Sequence, residues 1–252
     1  MDFRKKAPTF ALLTDFGFDF AVASMKGVIL QSLPQAHIID IDHSLQKFSI
    51  LSGAFILEKT ITYFPADTIF ICVVDPGVGS ERELLCIEDG NRAFFGPDNG
   101  IFHGILKKNG IKTFRIKPDY FQNHSSTFHG RDIFTPAAVA YSNGNRAFLE
   151  SIPAKDLITL ADIDTKKLIT YIDSFGNIKT NIASVHEKIP HYTSVIIRNT
   201  TYPIKSVQVF ADVLPGTLIC YKGSNDTLEI AISGGSAQKF LQCQVGDRIE
   251  IY

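Results

Sequence analysis

Three short apolar runs near the start of the chain each lead into an aspartate, and the segments between them carry helical patterns. Residues 9–14 run into a turn at 15–18 and a helix-like stretch over 19–33, which Pro34 stops. A second, β-branched run covers 38–41 and is followed by a helical stretch near 49–59; a third, 68–74, ends at Asp75-Pro76-Gly77. Strands that alternate with helices predict an α/β domain with a mainly parallel sheet. Ligands of such sheets collect at the carboxyl ends of the strands, where Asp15, Asp42, His43 and Asp75 all fall. Strand ends are often polar for structural reasons alone, so this rim is a candidate site and no more.

After about residue 165 the texture changes. Strand-like runs at 167–173, 194–198, 208–213, 218–221, 228–232 and 248–252 are separated by turn residues, which predicts a smaller all-β, barrel-like domain. A chain of 252 residues fits one large core or two smaller ones, and the change of texture favours two. The boundary falls within 161–166, giving an α/β domain over 1–163 and a β-barrel-like domain over 164–252.

Composition narrows the classes of function. With 45% hydrophobic residues and 20 Phe the chain can bury a sizeable core. Its 25 basic and 26 acidic residues nearly cancel and form no basic run, so no nucleic-acid footprint is expected and a small molecule is the better ligand. No apolar stretch approaches about 18 residues, and the charged start at 1–6 has no apolar segment of a signal peptide behind it. The expectation is a cytoplasmic protein without a membrane partner. Cys72, Cys86, Cys220 and Cys243 are far apart and mostly in apolar stretches, as buried reduced thiols would be. Asp40, Asp42 and His43 alternate along a strand, so only two of them could converge and no metal site is predicted.

Four loops concentrate Gly, Asp, Asn and Pro beside apolar runs: Thr14-Asp15-Phe16-Gly17, Asp75-Pro76-Gly77-Val78-Gly79, Gly96-Pro97-Asp98-Asn99-Gly100 and Asp173-Ser174-Phe175-Gly176-Asn177. Each alone is an ordinary turn former. The loop at Asp75 matches neither glycine-rich phosphate fingerprint. Ser126-Thr127-Phe128-His129-Gly130-Arg131-Asp132, just before a helical run at 133–141, is a less usual polar cluster. Taken by itself His129 is more often a hydrogen-bonded structural histidine than a catalytic one, and Arg131 and Asp132 suit a helix start.

Taken in order, with Met25-Lys26-Gly27-Val28-Ile29 and Arg82, these loops resemble the S-adenosyl-L-methionine (SAM) hydroxide adenosyltransferases, relatives of the fluorinating and chlorinating enzymes that use the same substrate. The resemblance runs from about residue 10 to residue 251. It implies hydrolysis of SAM at ribose C5′ by in-line attack of an activated water, giving adenosine and L-methionine, with SAM as substrate and no cofactor. By resemblance, Asp75, Arg82 and His129 form the catalytic set. Arg82 stabilises hydroxide character, while Asp75 and His129 orient the water and accept or relay its proton. Asp15 matches the position that holds the ribose hydroxyls, and Asp173, Phe175 and Asn177 those for the methionine portion and for packing on adenine. Ser224 matches a position that contacts the methionine carboxylate. The family further implies a homotrimer, with the ligand between the α/β domain of one subunit and the β domain of its neighbour. Two alternatives stay open: a SAM-dependent halide adenosyltransferase, and a non-catalytic SAM- or adenosine-binding protein. The halogenating relatives carry a tyrosine at the Asp75 position, a hydroxyl residue at that of Val78 and a longer loop around 88–92, and a carboxylate beside a halide would repel it.

Overall fold

The computed structural model describes residues 7–122, 125–184 and 189–252. The charged start at 1–6, on which the localisation reading drew, lies outside the described residues. The chain divides into two compact units, Met1–Thr159 and Leu160–Tyr252. A short helix over Ala161–Thr165, which a boundary at 163/164 would split, belongs whole to the second unit.

In the first unit β1 (Thr9–Thr14) is buried along its whole length. Asp19 ends the following turn and caps α1 (Phe20–Ser32), its carboxylate accepting the Ala21 N–H at 2.7 Å. Such a cap contributes about 1 kcal/mol. After β2 (His37–Asp42), Ser49 caps α2 (Ile50–Thr60) in the same way, and β3 (Ile69–Val73) is again buried throughout. These three strands pair in parallel with β1 in the middle.

From here the chain departs from the expected parallel pattern. β4 (Leu84–Asp89) and β5 (Arg92–Pro97) form a hairpin around Gly90 and Asn91, with Gly90 at φ 62°. A two-residue loop can join only antiparallel strands. β5 lies parallel to β3, while β6 (Lys112–Ile116) and β7 (Leu149–Ser151) continue antiparallel beyond β4. The order is β2-β1-β3-β5-β4-β6-β7. The mainly parallel sheet is therefore corrected to a mixed one: parallel on the β2 side, antiparallel on the β7 side. Two helices complete this unit, α3 (His103–Leu106) and α4 (Thr135–Ser142). α1 and α4 pack against the sheet through Met25, Ile29, Ala137 and Ala138, which meet Phe10, Leu12, Ile71 and Phe95 in one core.

The second unit opens with α5 (Ala161–Thr165) and is β-rich. It contains β8 (Ile169–Ile172), β9 (Ile178–Ala183), β10 (Ser194–Ile197), β11 (Thr200–Pro203), β12 (Lys205–Ser206), β13 (Leu218–Lys222), β14 (Thr227–Ile232), α6 (Ala237–Leu241) and β15 (Ile249–Ile251). A five-stranded sheet, β12-β13-β14-β9-β8, and a three-stranded one, β11-β10-β15, bury Ile178, Ile230, Val195 and Ile249 in a common core. The strand expected over 208–213 is absent. Asp212 Oδ2 accepts the N–H groups of Gln208 and Val209, both at 3.1 Å, and closes a 3₁₀ turn at Phe210–Asp212. A carboxylate that satisfies local backbone donors competes with strand pairing, and here it overrides the apolar pattern. All four cysteines are buried and free.

Gly96 on β5 sits at a close approach to β3, since a Cβ there would collide with the Cys72 carbonyl oxygen and lie 2.9 Å from Phe102 Cζ. Gly96→Ala is expected to lower the urea midpoint by the equivalent of about 1–3 kcal/mol, the usual cost of overpacking. A midpoint equal to that of the wild type would show that β3 and β5 are not this close.

Candidate active site

The loop after β3 carries Asp75 and curls back on itself. The Ser80 N–H and hydroxyl both bond to the Gly77 carbonyl, at 3.0 and 2.7 Å. That turn returns Arg82 to Asp75: Arg82 Nε donates to Oδ1 at 2.7 Å and Nη2 to Oδ2, a fork-to-fork pair. Both side chains are largely removed from solvent, 7% exposed for Arg82 and 4% for Asp75. Gly79, at φ 82°, lets the loop rest on the next segment, where its Cβ position would be 3.0 Å from the Ser126 carbonyl.

The segment it rests on carries His129. Asp132 accepts the Ser125 N–H at 2.9 Å and the Arg131 guanidinium at 2.6 Å, which fixes the turn before the helix. The helix then begins as a π turn, Gly130–Phe134, ahead of α4, with the Thr135 N–H and hydroxyl both on the Gly130 carbonyl. Such wide turns concentrate at functional sites. The turn leaves His129 Nδ1 at 3.2 Å from Arg82 Nη2. A guanidinium has only donors, so Nδ1 accepts and the neutral ring carries its proton on Nε2. Arg82 thus bridges Asp75 and His129. Its Nη1 is buried and, among the described residues, has no hydrogen-bond partner.

Asp75 and His129 line a cavity of about 320 Å³ whose other walls are mainly apolar: Phe16, Phe20, Val73, Val78 and Phe128. The rings of Phe16 and Phe128 meet edge to face at 5.8 Å, and the Arg131 guanidinium lies 4.8 Å from the Phe128 ring centre. Beside mainly apolar walls a fixed charge acts more strongly than in bulk water.

Asp15 does not line this cavity. It is buried at the end of β1, where Oδ2 accepts the Phe48 N–H at 2.7 Å and its carbonyl accepts from Lys47 Nζ. Of the other rim residues, Asp42 Oδ1 holds Ser44 through its N–H and hydroxyl, both at 2.7 Å, and His43 Nδ1 is 2.7 Å from Thr14 Oγ1. Among the described residues no group of three or more His, Cys, Asp or Glu is placed to hold a metal ion.

The remaining expected site residues belong to the second unit. Asp173 builds the turn between β8 and β9. Its Oδ1 accepts the Phe175 and Asn177 N–H groups at 3.0 and 2.9 Å, and Oδ2 accepts the Asn177 amide at 3.1 Å. The turn presents Phe175, 76% exposed, and needs Gly176, which has φ 81° and packs on Ser236. Ser224 is exposed in the turn after β13. A charged cluster in this unit was not singled out from the sequence: buried Glu229 takes Lys179 Nζ at 2.8 Å and the Tyr221 hydroxyl at 2.9 Å. Burial, with Glu229 adding to it, pushes the Tyr221 hydroxyl well above its ordinary value. The available signal was a glutamate inside an otherwise apolar strand, a residue rarely buried unless paired.

The profile of the SAM hydroxide adenosyltransferase N-terminal domain matches residues 10–150, and that of the C-terminal domain residues 167–250. The chain belongs to the SAM hydroxide adenosyltransferase family. It is 35% identical to a Methanocaldococcus jannaschii protein named (R)-S-adenosyl-L-methionine hydrolase, over 95% of this chain and 94% of that one. A crystal structure of an uncharacterized conserved protein from Thermotoga maritima superposes with a TM-score of 0.85 at 29% identity, over 96% of this chain and 100% of that one. The fluorinase of Nocardia brasiliensis is 25% identical over 70% of this chain and 72% of its own length. The family resemblance read from the loops thus holds along both units.

Asp173→Ala removes three hydrogen bonds that close the turn. It is expected to cost about 2 kcal/mol of unfolding free energy with no ligand present. An unchanged thermal transition would mean that the carboxylate is dispensable to the turn.

Proposed function

We propose that this protein hydrolyses S-adenosyl-L-methionine at ribose C5′, releasing adenosine and L-methionine. The observation that carries the reading is the contact of Asp75, Arg82 and His129 at a mainly apolar cavity in a chain of this family. Oxygen of water bonds to C5′ as the C5′–S bond breaks, and the bonding pair leaves on sulfur, which becomes the neutral thioether of methionine. No general acid is needed, because the sulfonium is already a good leaving group. The water must be placed in line and must lose one proton, and its placement alone can remove several kcal/mol of barrier.

We divide the roles among the three side chains as follows. Asp75 is an acceptor with lone pairs to spare beyond the two used by Arg82, and we assign it the water proton. His129, with Nδ1 committed to Arg82, turns an N–H outward from Nε2 and orients the nucleophile as a donor. Arg82 supplies positive charge for the developing hydroxide from behind Asp75 and His129, the two groups it holds at the cavity wall. In this reading Asp15 holds the ribose hydroxyls, and Asp173, Phe175, Asn177 and Ser224 serve the methionine and adenine portions, Asp173 by shaping the turn that presents Phe175. The relatives' name specifies the R sulfonium epimer, and we extend that preference to this protein. A halide nucleophile is disfavoured by the Asp75 carboxylate at the cavity wall.

We further propose a homotrimer with ligand sites at subunit interfaces. In the first unit Phe18 is 92% and Phe20 76% exposed, and in the second Leu214 is 80% exposed, surface that suits a partner subunit. The second unit's two sheets around one core suit a barrel-like domain. The described residues contain no helix long and apolar enough to cross a membrane. With four free buried thiols, we place the protein in the cytoplasm.

Chromatography of reactions with each sulfonium epimer tests the function: adenosine should form from R and far less from S. Asp75→Ala, Arg82→Ala and His129→Ala should each lower kcat by roughly 10²-fold or more, as loss of a catalytic acid–base or electrostatic group does. Double changes should cost little more than the worst single one. Turnover should survive exhaustive EDTA treatment, because the water is assigned to side chains. Absence of adenosine from both epimers would sink the hydrolase in favour of a binding protein. Light scattering should report a trimer of 27.9 kDa chains, and a fully active monomer would remove the shared site.

A further inference from the structure

A chain of polar side chains runs from the protein surface to Thr14, the residue before Asp15. Lys26 Nζ of α1 lies 2.6 Å from Asp40 Oδ2, and Asp40 Oδ1 lies 3.0 Å from His43 Nε2. His43 Nδ1 in turn lies 2.7 Å from the Thr14 hydroxyl, which also accepts the Phe16 N–H at 3.3 Å. The outer end is half exposed, while His43 and Thr14 are buried. Among the described residues His43 Nε2 makes no aligned hydrogen bond, so Asp40 faces it as a charge at 3.0 Å, and the directional bond of the ring is the one between Nδ1 and the Thr14 hydroxyl. Burial by itself would raise the Asp40 carboxyl, but the Lys26 ammonium bonded to it and the His43 ring beside it hold it below its ordinary value.

Beyond this chain the loop after β2 bonds to the loop that carries Asp15. The His43 carbonyl accepts the Gly17 N–H at 2.7 Å, Lys47 Nζ bonds to the Asp15 carbonyl, and the Phe48 N–H meets Asp15 Oδ2 at 2.7 Å. Phe48 does this at φ 64°, a costly conformation for a bulky residue that persists only where its surroundings over-determine it. The loop after β2 therefore clamps the loop after β1 from both ends, and the bond between His43 and Thr14 keys the two together.

We propose that the Asp40–His43–Thr14 chain is a positioning device for Asp15, with His43 the positioning residue that sets the direction of the Asp15 carboxylate. The proposal rests on the reading that Asp15 holds the substrate ribose. Thr14→Val keeps the shape of the side chain and removes its hydroxyl, whereas Asp40→Ala cuts the chain at its half-exposed end without touching the core.

Adenosine affinity by calorimetry and steady-state kinetics on the full-length protein test it. Thr14→Val and Asp40→Ala should each weaken adenosine binding roughly five- to tenfold, as loss of one well-oriented hydrogen bond does. KM should rise in step while kcat stays within about twofold, the pattern of a contact shared by ground and transition states. Thr14→Ser should restore affinity, and Thr14→Val should add nothing in an Asp15→Ala background. If Asp15→Ala weakens binding but Thr14→Val and Asp40→Ala do not, the positioning role is wrong and the ribose reading stands. Additive losses in the double variant would likewise overturn it, because the chain would then act independently of Asp15. Unchanged affinity in Asp15→Ala would remove the ribose reading and this proposal with it.

Discussion

The first unit is arranged around a carboxylate and a guanidinium taken together out of water. Removing such a pair from solvent is costly unless geometry and further hydrogen bonds complete it. Asp75 and Arg82 meet in two parallel bonds, and His129 takes a third donor of the same guanidinium. The surrounding backbone follows from that requirement. Gly79, at φ 82°, lets the Asp75 loop rest on Ser126, and the π turn at Gly130–Phe134 sets where His129 stands. An arginine held this way also decides the tautomer of the histidine, so one interaction controls both charge and proton position.

The mixed sheet divides the labour of the first unit. Its parallel half aligns the ends of β1, β2 and β3, so Asp15, the His43 loop and Asp75 come to one rim although far apart in sequence. The antiparallel half, β4 to β7, extends the same sheet from the other side of β5 and supplies Phe95, Phe114 and Leu149 to the core. Gly96 allows the two halves to meet at close range. Rigid strands beneath mobile chemistry are the general reason such rims hold sites.

In the second unit carboxylates repeatedly replace strand pairing as the device that shapes the chain. Asp212 folds an apolar segment into a 3₁₀ turn, and Asp173 folds the β8–β9 connection so that Phe175 faces outward. Glu229 does the opposite: it is drawn into the interior and held by Lys179 and Tyr221. All three are acceptors whose lone pairs had to be satisfied locally, whether by backbone N–H groups or by side-chain donors.

Much of this was legible because it is local. The runs that became β1, β2 and β3 and the helical stretches that start at 19 and near 49 depend on residues within a few positions of each other, and the ordered loops sufficed for the family. The pattern at 208–213 misled because a short apolar run carries no sign that Asp212 would take the Gln208 and Val209 N–H groups. The antiparallel half does not follow from the alternation of strands and helices, which stops at β3, although Gly90 and Asn91 spell a hairpin loop. What no local pattern could decide are bonds between residues far apart: Arg82 with His129, Thr14 with His43, Lys179 with Glu229. Their existence depends on which strands lie side by side and on which backbone turns face each other. Sequence therefore determined which groups this protein has at its strand ends, and only the tertiary structure decided which of them share a proton, because a hydrogen bond requires approach to about 3 Å.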